Sequence, residues 1–112
     1  MVRCLITAVV LCLAGCGIDS EVSRSIGARC VSSDDCDDRC LTGPEFPGGF
    51  CSLSCDDDAD CPGSSICVER EGGVCLYLCE VVADCEFLGD GWECVGDAAR
   101  PGGEDVLVCR AD

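Results

Sequence analysis

Twelve cysteines between Cys30 and Cys109 are the residues best placed to do chemistry, and their spacing repeats. CSLSCDDDADC (Cys51 to Cys61) and CLYLCEVVADC (Cys75 to Cys85) both read Cys-x3-Cys-x5-Cys and end in Ala-Asp-Cys. A shorter copy, CVSSDDC, runs from Cys30 to Cys36. Thiols either pair as disulfides or hold a soft metal as thiolates. Cysteine zinc sites usually show two-residue spacing and often use His. Here the close pairs 36/40, 51/55 and 75/79 are three residues apart and the chain has no His. Disulfides are the expected chemistry, with no metal or other cofactor.

The second chemistry on offer is carboxylate. Asp56, Asp58 and Asp60 stand at i, i+2, i+4, like the opening of an EF-hand loop. The Gly that loop needs at its sixth position is Cys61, and the Glu at its twelfth is Cys67, which excludes an EF-hand. A different calcium loop stays open as an alternative. Against it, the third copy replaces the middle aspartates by Val81 and Val82, and a solvated acidic turn is the simpler account. Glycoside hydrolysis by paired carboxylates needs a cleft and stacking rings, and five aromatics in 112 residues supply neither. Lacking His, and lacking Lys, Asn and Gln as well, the chain has no nucleophile–base pair and no N-glycosylation sequon. An enzyme is not expected. A net charge of −15 argues against nucleic acid, whose phosphates need Lys and Arg, and against bare anionic lipid.

The N-terminus reads as a targeting segment. Met1-Val2-Arg3 is followed by an apolar run from Cys4 to Leu13, too short to span a bilayer, which takes about 20 residues. The run ends in Leu13-Ala14-Gly15-Cys16. Here the chain resembles a bacterial lipoprotein precursor, whose lipobox has this form. The resemblance implies residues 1–15 as a helical signal peptide, cleavage before Cys16, and lipid on the Cys16 thiol and amino terminus. It also implies a membrane partner through that lipid. Gly at position 17 favours the outer membrane under the enterobacterial sorting rule, on its periplasmic or cell-surface side. Residues 16–29 then read as lipidated Cys16 and a flexible tether. Cys4 and Cys12 leave with the signal and Cys16 is lipidated, so an even number remains: Cys30, Cys36, Cys40, Cys51, Cys55, Cys61, Cys67, Cys75, Cys79, Cys85, Cys94 and Cys109. In an oxidising compartment these make six disulfides.

Residues 30–112 divide into three four-cysteine units, 30–51, 55–75 and 79–109. The expected class is small and disulfide-rich, each unit a polar turn plus a short β-hairpin. Asp35, Asp60 and Asp84 precede each unit's second Cys, where a carboxylate accepts backbone N–H groups. In the second unit Ile66-Cys67-Val68 and Val74-Cys75-Leu76 flank a Gly-containing turn. In the third, Trp92 to Val95 and Val106 to Cys109 flank a loop with Arg100-Pro101-Gly102-Gly103, and its longer gaps suggest an irregular tip. In the first, Pro44 to Phe50 takes the loop's place. A bond straight across such a hairpin would only staple what the turn already closes. Pairing first-to-third and second-to-fourth would pin the polar turn onto the sheet, and this is the expected connectivity. Three-residue joints predict a stacked rod, and few large apolar residues predict a thin core that depends on oxidation, with units unfolding singly on reduction.

At Pro47-Gly48-Gly49-Phe50-Cys51, with the Ala-Asp-Cys loops, the chain resembles tandem cysteine-rich repeats of predicted bacterial surface lipoproteins. Its cysteine spacing is also similar to the N-terminal cysteine-rich region of Dickkopf proteins. These resemblances imply a small extracytoplasmic module and bring no activity or site residue. The favoured function is therefore a lipid-tethered structural or protein-binding module, its protein partner unidentified. One alternative is a protease inhibitor presenting Arg70 or Arg100 from the loops Glu69 to Gly73 or Ala98 to Glu104. The other is a calcium-binding surface protein.

Overall fold

The third and fourth cysteine of every unit lie in short strands, and each strand pair closes as an antiparallel hairpin. In the computed structural model, which describes residues 22–112, these are β1 (Arg39–Leu41) with β2 (Phe50–Ser52), β3 (Ser65–Val68) with β4 (Val74–Tyr77), and β5 (Glu93–Ala98) with β6 (Asp105–Arg110). The signal segment and Cys16 lie outside the described residues. The register sets Cys40 opposite Cys51, Cys67 opposite Cys75 and Cys94 opposite Cys109. Before each hairpin comes one 3-10 segment: Ser33–Asp35, Asp58–Asp60 and Val82–Leu88. The fold is small and disulfide-rich, with little regular secondary structure.

The opposed cysteines are not bonded to each other. The disulfides are Cys30–Cys40 and Cys36–Cys51, Cys55–Cys67 and Cys61–Cys75, and Cys79–Cys94 and Cys85–Cys109. Every unit thus pairs first with third and second with fourth. The 3-10 segment is laid over one face of its hairpin, and two bonds hold it there. This explains why β4 is buried at all four positions, although a two-sided hairpin would alternate. Its cysteine face is covered by the turn and its other face by the common core.

The joints between units are strands with two roles. After β2, the chain continues through Leu53 and Ser54 alongside β4, where Cys75 N–H donates to Leu53 C=O (3.2 Å) and Cys55 N–H to Gly73 C=O (3.1 Å). Ser52, fully buried, both donates to Cys75 C=O at 2.8 Å and accepts from Cys75 N–H at 3.1 Å. After β4 the same pattern recurs against β6, with Cys79 N–H donating to Leu107 C=O at 3.1 Å. Gly49 and Gly73 stand two residues before the fourth cysteine of the first two units, at φ +84° and +108°. A Cβ at either would strike the carbonyl of its unit's first cysteine, Cys30 or Cys55. Only Gly admits both this approach and this φ.

Three expectations change. Residues 23–29 are not a free tether: Ser23 bridges Gly27, Ile26 is buried in the core, and Cys51 N–H donates to Ala28 C=O at 2.9 Å. This segment is the joint strand of the first unit, repeating what Leu53 does for the second. Nor do the units string out as a rod. Trp92 Nε1 of the third unit donates to Pro47 C=O of the first (3.2 Å), and Ala111 N–H to Glu45 C=O (2.8 Å), so the third unit folds back on the first. The strands of the third hairpin run further than expected, to Ala98 and Asp105 with six paired positions, and leave the tip as a loop over 99–104.

The core fills the space this closure makes. Phe46 and Phe50 from the first unit meet Trp92 from the third, with centroids 6.4 and 5.4 Å away. Tyr77, in the joint between the second and third units, lies edge-on to Phe50 at 5.9 Å. Few in number, the aromatics are concentrated where three units converge, and such pairs add about 0.5–1.5 kcal/mol each beyond burial. Because this core belongs to all three units, the oxidised chain is expected to unfold in one urea transition rather than unit by unit. Trp92→Ala should destabilise it by about 3–5 kcal/mol and raise amide exchange in the first and third units together, whereas exposed Leu107→Ala should cost within about 0.5 kcal/mol.

Candidate functional site

The three opening turns repeat one arrangement in detail. Asp35 Oδ2 accepts the N–H groups of Val31 and Ser32 at 2.9 and 3.3 Å. Asp60 Oδ2 accepts those of Asp56 and Asp57 at 2.9 and 3.4 Å. Asp84 Oδ2 accepts those of Glu80 and Val81 at 2.8 and 3.1 Å. Each carboxylate reaches back over the start of its own short helix and satisfies donors that the helix leaves unpaired. The hydrogen bond from Val31 and then that from Ser32 hold the Asp35 carboxyl below its ordinary pKa. Those from Glu80 and Val81 do the same for Asp84. The Asp-Cys step, Ala-Asp-Cys in the second and third turns, is thus a backbone lock, the carboxylate standing one residue before the cysteine that ties the turn to the hairpin.

The second turn carries the aspartates with calcium-like spacing. Asp60 is committed to backbone N–H groups, Asp57 accepts from Ala59 N–H at 2.8 Å, and Asp58 faces Cys67 N–H at 3.4 Å. Asp56 is almost fully exposed, 3.7 Å from Arg100. Their oxygens serve different partners instead of converging. An open depression of about 420 Å³ beside them is lined in part by Asp38, Ser54, Asp56, Asp60 and Gly72, and Asp38 there accepts Ser54 N–H at 2.8 Å. Among the described residues, the ligand-type side chains that do converge are cysteines: 30/36/40, 55/61/67 and 79/85/109, with sulfurs within 4.8 Å. All of these sulfurs are bonded in disulfides, so none is a thiolate in this state.

Arg70 and Arg100, the candidate inhibitor anchors, are both engaged. Arg100 donates to Glu69 (2.9 Å) and to the carbonyls of Gly72 (2.8 Å) and Cys55 (3.3 Å), tying the third hairpin's loop to the second unit. Arg70 grips Asp97 through Nε (3.0 Å) and Nη2 (3.1 Å), and reaches Glu45 at 3.3 Å. Both guanidinium groups are engaged within the molecule.

Asp97 and Arg110 were not legible as functional residues in the sequence. Arg110, only 8% exposed in its side chain, donates to Asp97 Oδ2 at 2.8 Å, and a single carboxylate is thereby shared by two guanidinium groups. Burial pushes the Asp97 carboxyl up, but the hydrogen bonds from Arg70 and Arg110 and their charges outweigh it, and its pKa is lowered. The hydrogen bond to Asp97 raises the pKa of Arg70 in turn. Glu45, Arg70, Asp97 and Arg110 thus join all three units through ions. The one sequence signal was indirect: with seven basic against 22 acidic residues, any Arg flanked by buried positions has a carboxylate to find.

No protein-family model, curated protein or solved structure matches this chain. Its chemistry has to be read from its own residues.

A carboxyl with a lowered folded pKa adds stability above the unfolded pKa of about 4, and that stability is lost as pH falls through the folded value. Asp35, Asp84 and Asp97 all have this sign. The urea midpoint should therefore hold from pH 7 to pH 5 and fall below pH 4. Asp97→Ala leaves Arg110 buried without its carboxylate and should cost about 3–5 kcal/mol at pH 7, with a shallower acid loss than the parent chain shows.

Proposed function

We propose that the protein is an extracytoplasmic lipoprotein, anchored through lipid on Cys16, whose body serves as a non-catalytic structural or protein-binding module. The carrying observation is the closed set of six disulfides over Cys30 to Cys109. It leaves no unpaired thiol in the body and calls for an oxidising compartment. Leu13-Ala14-Gly15-Cys16 after a short apolar run supplies the means of reaching one and staying there. The outer membrane is the proposed address, from Gly17 behind the lipidated cysteine.

Two features of the body support a passive role. The groups with lowered or raised pKa all serve backbone turns or the ion cluster between units. The acidic surface keeps copies apart, which suits a module presented singly. The inhibitor reading is disfavoured by the engagement of Arg70 and Arg100. The calcium reading is disfavoured because the aspartates of the second turn do not converge.

The N-terminal peptide of the mature protein should begin at Cys16 and carry the mass of a diacylglyceryl group, with detergent partitioning lost in Cys16→Ser. An unmodified Cys16 would overturn the proposal. Calorimetry of the oxidised protein with calcium should give no binding heat at millimolar ion, and trypsin activity should be unchanged by an equimolar amount of protein.

A further inference from the structure

The third opening turn departs from the other two in the chemistry of its outer face. Where the first unit has Ser32 and Ser33 and the second has Asp57 and Asp58, the third has Val81 and Val82, 57% and 53% exposed. Its 3-10 segment, Val82–Leu88, is held down by Cys85 and Leu88 and leaves Phe87 half exposed. At about 2 Å rise per residue, Val82 and Phe87 lie within roughly 10 Å along the segment. In a chain this acidic, three large apolar side chains outside the core on one short element call for an occupant.

The path of the N-terminal segment indicates which one. Phe87 lies edge-on to Tyr77 with centroids 5.1 Å apart. The Tyr77 hydroxyl sits against Gly27, so that a Cβ there would be 2.8 Å away, and donates to Ile26 C=O at 3.4 Å. Gly27 bridges Ser23, and the preceding residue, Val22, is itself 40% exposed. Ile26 and Gly27 of the N-terminal segment therefore lie against the ring that packs on Phe87. Cys16 is six residues upstream of Val22, a span of at most about 20 Å. Whatever Cys16 is anchored in lies within that reach of Val22, at the head of the segment that leads to Tyr77 and Phe87.

We propose that Val22, Val81, Val82 and Phe87 rest on the surface of the lipid bilayer and give the anchored protein a second membrane contact that fixes its orientation. This rests on the lipoprotein reading above. Apolar side chains seated at the headgroup boundary, where interfacial faces bury about 5–10 Å, would add an orienting contact to the anchor that lipid on Cys16 provides. Glu80, Asp84 and Glu86 border the face, so the surface it fits is zwitterionic, and anionic headgroups would repel it. The loop from Arg100 to Glu104, at the tip of the third hairpin away from Cys94 and Cys109 and beside Gly73, is then left free for a partner.

The test uses the full lipidated protein in phosphatidylcholine liposomes. Tryptophan is introduced singly by Phe87→Trp or, in the loop of the third hairpin, by Glu104→Trp, and quenching by brominated phosphatidylcholine is compared with the parent chain, whose Trp92 is buried. Quenching of the Phe87→Trp protein should exceed that of the Glu104→Trp protein by about twofold or more, as the depth of an interfacial contact implies. Replacing part of the lipid by phosphatidylglycerol should reduce it. Amide exchange of residues 80–89 in the unsubstituted protein should slow on liposomes, which covers the case of a variant that misfolds. Equal quenching at both sites and unchanged exchange, in protein that floats with the liposomes, would overturn the docking surface and leave the anchor standing. Protein that fails to float would overturn both. Protection of residues 80–89 only after a second protein is added would assign the face to a protein partner instead.

Discussion

Everything in this structure depends on one refusal: the two cysteines that face each other across each hairpin do not bond to each other. Cys40 and Cys51, Cys67 and Cys75, and Cys94 and Cys109 are in register. Yet each reaches past its neighbour to a cysteine of the preceding turn. A bond straight across would close a loop that the hairpin already closes, and would add little. The crossed pair instead converts a short, polar, self-capped turn into a second layer over the sheet. A two-stranded hairpin is marginal in water by itself. Covered on its cysteine face by a pinned turn, it needs apolar partners on one face only. The rest of the fold supplies them.

That supply comes from sharing. A strand that ends one unit runs on to edge the next, so Ser52 belongs to the first hairpin by register and to the second by its hydrogen bonds with Cys75. Such a joint cannot swivel without breaking a ladder. Its direction turns the third unit toward the first, and Phe46, Phe50, Tyr77 and Trp92 close the gap. The glycines at 49 and 73 make the sharing possible, since any side chain there would strike the carbonyl of the cysteine that begins the unit. Cystine geometry, strand sharing and a small aromatic core are three aspects of one arrangement.

The local part of this was legible in the sequence, and the long-range part was not. Period-two patterning around Cys67 and Cys75, the Gly-containing turn between them, and an aspartate before each second cysteine all describe events within about 25 residues. In such windows sequence order and spatial order nearly coincide. Ser23 to Ala28 carried no cysteine and one large apolar residue, Ile26, so nothing marked it as a joint strand. Its role follows from the repeat two residues before each first cysteine, where Ala28 matches Leu53 and Tyr77. The shared carboxylate of Asp97 was invisible for a different reason. Arg110 reaches it from the other strand of the same hairpin and Arg70 from the loop of the second, so it takes packing between the second and third units to assemble the pair.

Packing between units also shows how so acidic a chain holds them in contact. With 22 acidic and seven basic residues, random placement would leave each junction between units repulsive. The arginines are instead concentrated at those junctions. Arg24 joins the N-terminal segment to Asp37 of the first unit, and Arg39 donates to Glu71 C=O of the second. Arg70 spans from the second unit to Glu45 and Asp97, and Arg100 returns from the third to the second. Many of these bonds end on backbone carbonyls or on a carboxylate screened from water, where added salt weakens them less than it weakens an exposed pair. Surplus aspartates are disposed of differently. Asp35, Asp57, Asp60 and Asp84 are bound to backbone N–H groups at the turns, where the negative charge is useful, and Asp56 projects into solvent. Net charge therefore sets how this protein meets other molecules, and the position of a few cations sets how it meets itself.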